Sequence, residues 1–327
     1  MRTGGFLLAG VCLVTACALS LGVGAHPTPP GVLLEVLTTQ GDSDAHAIVR
    51  ERVPRTLLGL FVGCSLGGCG ALIQAYTRNP LADPGLLGVN AGATFAITMG
   101  AGFLGLRAPH QYVWLALGGA LATTVLVYVI GRSGRDGATP VRLVLTGVAI
   151  EAVLVGLSSF IILKNLAIFQ ALRFWGVGSL GGRDPAVLTA VLPVVAVGLG
   201  LAVPAATMLN ATALGDDLGR GLGVRLPVSR GLAVAGVTLL GGGAVAMAGS
   251  IGFVGLMVPH VVRWFTGPDQ RLVLFGSILA APTLLLGADV LGRVVLPNGE
   301  LPVGIATAVV GAPVLIVLAR RQKVGAL

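Results

Sequence analysis

The residues able to do chemistry are few and scattered. His26, His46, His110 and His260 lie far apart in the chain, and no two carboxylates share helical spacing within an apolar run. The four cysteines, Cys12, Cys17, Cys64 and Cys69, contain no C-x-x-C pair, so neither a metal site nor a disulfide framework is expected. No G-x-x-x-x-G-K-[ST] occurs, and neither Lys164 nor Lys323 follows a glycine-rich loop. The sequence therefore offers no catalytic constellation, no metal ligands and no cofactor site; any ATP used must be hydrolysed elsewhere. Two ionisable features remain. Glu151 sits in the middle of an apolar run, where a charge costs several kcal/mol, on the order quoted for intramembrane groups; it is either a substrate or proton-relay group or a structural one bonded to Ser158 or Thr146. Asp289 precedes Arg293 by four residues, a spacing that pairs them on one helix face.

The elements that must carry these residues are membrane spans. The chain is 55% hydrophobic and only 10% charged, with a mean hydropathy of +0.93. A soluble domain carries about 25% charged residues. A surface this poor in charge faces lipid. Apolar runs fall at about 4–25, 53–76, 88–106, 112–131, 141–163, 186–206, 228–249, 251–265, 271–291 and 302–319, with a weaker helical stretch at 166–176. These predict one transmembrane domain, 1–327, of about ten helices, with the 251–265 segment short enough to be re-entrant. The first run mimics a secretory signal, but its length reads as an uncleaved helix. With both termini cytoplasmic, thirteen basic residues fall inside and eight outside, as the positive-inside rule asks. The net charge of +8 is spread as single arginines between spans, so nucleic acid is not an expected partner.

Two patterns concern packing. Gly59, Gly63, Gly67, Ala71 and Ala75 recur at steps of four and form one small-residue ridge, either a helix–helix seam or the wall of a pathway. Laying Arg52–Ala71 on Arg225–Ala244 matches seven of twenty positions, among them Pro54/Pro227, Gly63/Gly236 and Gly70/Gly243. An inverted repeat of the transporter kind would look like this; two merely glycine-rich helices would too. Between the sixth and seventh runs, ATALGDDLGRGLGVR (211–225) is the longest polar stretch on the predicted inner side. Its four glycines fit two short helices joined by a turn, and Leu214, Leu218 and Leu222 offer an apolar ridge to a soluble partner.

Several motifs, in order along nearly the whole chain, carry a resemblance: RVPR (52–55), RNPLADPGLLG (78–88), FWGVGSL (174–180), ALG (213–215), GSIGFVGLMVPHVVR (249–263) and ELPVGIATA (300–308). The chain resembles the permease subunits of ABC importers for iron chelates, cobalamin and haem. That resemblance implies an all-α, inverted-repeat-like permease in the inner or plasma membrane. It would dimerise with a second copy or a paralogue, dock two ABC ATPase subunits inside and receive an external solute-binding protein outside. It further implies docking of that binding protein on Arg52, Arg55 and Arg293. Within the segment 207–227, coupling to the ATPase would fall to Ala213, Leu214, Gly215, Asp216, Asp217, Leu218 and Gly219. The cytoplasmic gate would involve Asn79, Leu81, Pro140 and Val141. Pro140 and Val141 depart from the small hydroxyl residues of the cobalamin-type member. The expected cargo is an iron–siderophore chelate, with cobalamin or haem as alternatives. The rival class is an ion-coupled secondary transporter using Glu151.

Overall fold

The computed structural model describes residues 2–24, 28–39, 41, 43–106, 109–133, 139–213, 215–296 and 299–322. Among them every regular element is helical. In chain order these are α1 (Arg2–Gly22), α2 (Pro30–Thr38), α3 (Asp44–Thr77), a 3-10 turn (Pro84–Leu87), α4 (Val89–Phe103), α5 (Pro109–Arg132), α6 (Pro140–Lys164) and α7 (Leu166–Val177). There follow α8 (Pro185–Ala211), α9 (Asp216–Gly221), α10 (Leu226–Ala248), α11 (Val254–Thr266), α12 (Gln270–Val294) and α13 (Val303–Gln322). Seven helices (α1, α3, α5, α6, α8, α10 and α12) are long and apolar enough to cross a membrane. Each of the ten apolar runs became helix, and the weak stretch at 166–176 is α7.

Helix α3 is the axis of the bundle. Its small-residue ridge is a seam, not a pathway wall. A Cβ on Gly63 would strike the Pro282 backbone, and one on Gly67 the Ser277 carbonyl, both on α12. One turn further along, Gly70 faces the Gly255 carbonyl at the start of α11. Such approach is open only to glycine, and in lipid it replaces the hydrophobic force that water would supply. On another face α3 meets α10. Gly68 approaches Leu240, the Cys69 thiol donates to the Val237 carbonyl at 3.2 Å, and Leu72 lies on Gly236. Rising numbers on α3 meet falling numbers on α10, so these sequence-similar helices run antiparallel through the centre.

The start of α3 differs from expectation. The apolar run spans about 53–76, but α3 begins at Asp44, with Pro54 inside it. At 34 residues it is about 51 Å long, at about 1.5 Å per residue, against a hydrocarbon core of about 30 Å. The helix is thus longer than the hydrocarbon core is thick.

Between α10 and α11 the chain leaves helical geometry at 249–253, with Gly249 at φ 80° and Phe253 at φ 67°. The loose backbone is closed by the end of α7. Ser179 N–H donates to the Ala248 carbonyl at 2.8 Å, and Ser250 N–H to the Trp175 carbonyl at 3.2 Å. A broken helix is stable at membrane depth only when protein supplies such partners.

If the α3 seam is held by backbone contact, Gly70→Ala should cost more than the roughly 1–3 kcal/mol of ordinary over-packing. Gly118→Ala, with open space at its Cβ, should change little. Thermal unfolding of the detergent-solubilised variants compares the two.

Candidate functional site

Two polar clusters stand at opposite ends of α3. At the Arg55 end, Asp289 of α12 is almost wholly buried and serves two arginines. Arg55 grips it with both branches, Nε at 3.0 Å and Nη2 at 2.8 Å, and sends Nη1 to Glu300 at 2.7 Å. Arg293 donates to Asp289 through Nε at 2.9 Å and again through Nη2. The pair anticipated from the i,i+4 spacing is therefore present and widened to a third partner. Arg293 also reaches the Ser20 carbonyl at 2.8 Å, and Arg52 the Leu21 carbonyl at 2.9 Å. These are last-turn carbonyls of α1, which no helical N–H can satisfy, and the two arginines cap them.

Arg52 and Arg293, expected to meet a partner, are thus 9% and 5% exposed and committed within the fold. Arg55 is the more accessible of the three, with 15% of its side chain exposed, and Glu300 covers it. The three arginines do converge. With Arg50, Arg183, Glu51 and Glu300 they line a cavity of about 510 Å³ open at this end. Arg183, in the loop after α7, lies 4.6 Å over the Trp175 ring and donates to the Ser179 and Ala248 carbonyls. Burial pushes its guanidinium down to about 10, so it remains cationic at neutral pH.

At the Arg78 end, α3 stops with Arg78 in the left-handed region at φ 50°. Asn79, Pro80 and Leu81 then turn, with Leu81 N–H donating to the Asn79 side chain at 3.0 Å. Asp83 caps the following 3-10 turn through Gly85 N–H at 2.7 Å. Helix α11 holds this corner. Gln74 donates to the Leu256 carbonyl at 2.8 Å, Arg263 donates to Gln74 at 3.4 Å, and the buried His260 ring meets Trp264 edge-on. Two motifs about 170 residues apart in sequence, RNPLADP and GLMVPHVVR, are one packed corner.

Beside that corner lies the polar segment 211–225. Among the described residues it holds one short helix, α9, rather than two; α8 ends at Ala211, and Thr212 and Ala213 form a turn. Gly215 precedes α9 at φ 127°, a conformation that side chains resist. The carboxylate of Asp216 takes Arg78 on one oxygen and Arg230 of α10 on the other, the latter at 2.6 Å. Asp217 and Leu218 point outward, 96% and 58% exposed. Gly219 faces inward onto Thr212. Ala213 lies in the turn ahead of α9, and Leu214 falls outside the described residues.

Comparison with known proteins gives this arrangement a family. The profile of the FecCD transport family matches residues 12–321. The chain belongs to the FecCD transport family. It is 45% identical over 314 residues to the ferric enterobactin transport system permease protein FepD of Escherichia coli (strain K12), covering 96% of this chain and 94% of that one. It is 36% identical to the probable siderophore transport system permease protein YfiZ of Bacillus subtilis (strain 168), with 95% of each chain covered. Among solved structures, a metal-chelate type ABC transporter in an inward-facing conformation superposes with a TM-score of 0.84 at 26% identity, over 98% of this chain and 99% of that one. The protein is a multi-pass transport permease and not an enzyme.

Within this FecCD-family fold the remaining predicted residues separate. Pro140 opens α6, behind a Thr139 cap that accepts from Arg142 N–H at 3.4 Å, and Val141 is 67% exposed. Gly147, two turns on, packs against the Leu86 carbonyl, so the start of α6 is tied to the segment following Asn79–Leu81. Glu151 is half-buried at mid-helix, and the Ser158 hydroxyl spends itself on the Leu154 carbonyl at 2.7 Å instead of on Glu151. Sequence reasoning missed Glu300 as a contact, since no patterned neighbour reveals its partner Arg55, 245 residues away.

Arg293→Leu should destabilise the fold by about 3–5 kcal/mol, because it strips a buried carboxylate of a partner. Arg293→Leu combined with Asp289→Leu should recover part of that loss. Melting temperatures of the two variants decide it.

Proposed function

We propose that this FecCD-family permease carries an iron–siderophore chelate inward, driven by separate ABC ATPase subunits and supplied by an external solute-binding protein. The observation that carries the reading is α9. This short helix turns one face outward, with Asp217, Leu218 and the following Leu222 exposed, in a chain without a nucleotide-binding motif. An exposed apolar face on a short helix suits a cleft in a soluble motor. The turn 212–225, the core of the 207–227 coupling segment, would be pushed by that motor, with the Asn79–Leu81 turn and the start of α6 at Pro140 and Val141 as the inner gate.

The side bearing α9 is taken as cytoplasmic, with ten membrane passes and both termini on that side. The outward apolar faces of α6 and α13, including Leu145, Val153, Phe160, Val309 and Ile316, support a second copy or paralogue with the path between the two. The cargo is read from the relatives: FepD and YfiZ are named for ferric enterobactin and siderophore transport.

The opposite end would receive the binding protein. Its cavity gathers five arginines against Glu51 and Glu300, an excess of positive charge suited to acidic side chains. Arg52, Arg55 and Arg293 supply the field, and contact falls to the exposed rim. Such charge steers encounter more than it adds affinity.

Three measurements test these readings. Leu218→Glu should abolish capture of the ATPase subunit by the solubilised permease, while monodispersity is kept. Uptake of ferric siderophore into cells dependent on this permease should resist excess cobalamin or haemin; full competition by either would reassign the cargo. Arg50→Glu, at the rim of the cavity, should weaken capture of the binding protein by about threefold to tenfold at low salt, with the difference shrinking as ionic strength rises.

A further inference from the structure

We propose that Asp216 is the positioning residue through which a displacement of α9 reaches the Asn79–Leu81 turn. The proposal rests on the reading of 212–225 as the segment an ATPase pushes. The two neighbouring carboxylates at the start of α9 do different things. Asp217 is 96% exposed and pairs with Arg220 of its own helix at 2.8 Å. Asp216 turns back to the bundle and divides its two oxygens between Arg78 and Arg230. Those arginines belong to two different helices. Arg78 ends α3 and immediately precedes Asn79; Arg230 lies about one turn into α10.

The link can transmit because Arg78 is not a free side chain on a loop. Its backbone is held in the left-handed region, and its N–H donates to the Ala75 carbonyl as the terminus of α3. Asn79 follows directly, its own N–H on the Gln74 carbonyl and its side chain closing the turn over Leu81. A pull on the Arg78 guanidinium therefore loads the residue from which the turn hangs. Gly215, which only glycine occupies without strain, gives α9 a hinge on its other side.

A second arrangement is available to the same groups. Beneath the two arginines lies a cavity of about 50 Å³, lined also by Tyr76 and Ser229. Both hydroxyls are buried, and neither has a hydrogen-bond partner. They are acceptors within the space that Arg78 and Arg230 would enter on leaving Asp216. Coupling needs such a discrete alternative, not a continuously stretching contact.

A merely structural ion pair predicts something else. Arg78 is half exposed, and pairs of that kind add little to stability. If the pair only decorates the surface, its loss changes neither fold nor transport economy.

The test is the number of cargo molecules moved per ATP hydrolysed, measured for the full permease–ATPase complex in proteoliposomes with its binding protein. Asp216→Asn and Arg78→Gln should each lower that ratio by about fivefold or more, the scale of an ordinary coupling between sites. The double variant should be no worse than either single one, because both break the same link. Asp216→Glu should restore most of the ratio. An unchanged ratio in Asp216→Asn, or additive losses in the double variant, overturns the proposal. Should Asp216→Asn fail to assemble, Arg78→Gln decides alone, and an unchanged ratio there is equally fatal. The underlying coupling reading fails separately, if Leu218→Glu leaves ATPase capture and uptake intact.

Discussion

Lipid gives helices no reason to leave it for one another, so a bundle in a bilayer must be held by contacts that lipid tails cannot make. Here that constraint falls on α3. Gly63, Gly67 and Gly70 let the backbones of α12 and α11 come within contact distance, while Gly68 and Cys69 meet α10. Helices α1, α2, α6 and α8 also pack against this axis. The antiparallel meeting of α3 and α10 and the tie of α11 to the Arg78 corner follow from how close α3 allows its neighbours to come.

The same scarcity of water governs the charges. At the Arg55 end, Asp289 is enclosed by Arg55 and Arg293, and Arg293 together with Arg52 also finishes the C-terminus of α1. The set is closed; it suits a rigid rim against which another molecule can rest. At the Arg78 end, Asp216 is one-third exposed, and its arginines have empty, polar-lined space behind them. The set is open; it suits a joint. One chain thus spends its few ionisable groups in two ways, and the difference lies in burial rather than in residue type.

Much of this was legible in the sequence, because the bilayer imposes simple rules. Ten apolar runs became helices, the four-residue glycine ridge became a seam, and the spacing of Asp289 and Arg293 became a contact. What the sequence hid was tertiary. The apolar run starts at about 53, yet α3 reaches back to Asp44 through a charge-rich stretch, 44–52, that extends no apolar run. Helix α2 is a nine-residue segment opened by Pro29 and Pro30, too short to signal itself. The glycines of 211–225 hinted at two helices, but the described residues ahead of Gly215 turn instead, at Thr212 and Ala213. Arg52 and Arg293 read as surface charge because nothing in one dimension reveals that the end of α1 lies beside them. The corner where Gln74 meets Leu256 and Arg263 joins motifs from distant parts of the chain, and only the fold brings them together.

As a permease without a nucleotide-binding motif, the chain is a conduit moved by a nucleotide-hydrolysing companion. The direct measurement is uptake of ferric siderophore into proteoliposomes holding the permease. One set contains it alone under an imposed proton gradient; the other contains it with its ATPase, ATP and the binding protein. The account predicts uptake in the second set and background in the first. Gradient-driven uptake by the permease alone, abolished by Glu151→Gln, would contradict it and establish an ion-coupled transporter instead.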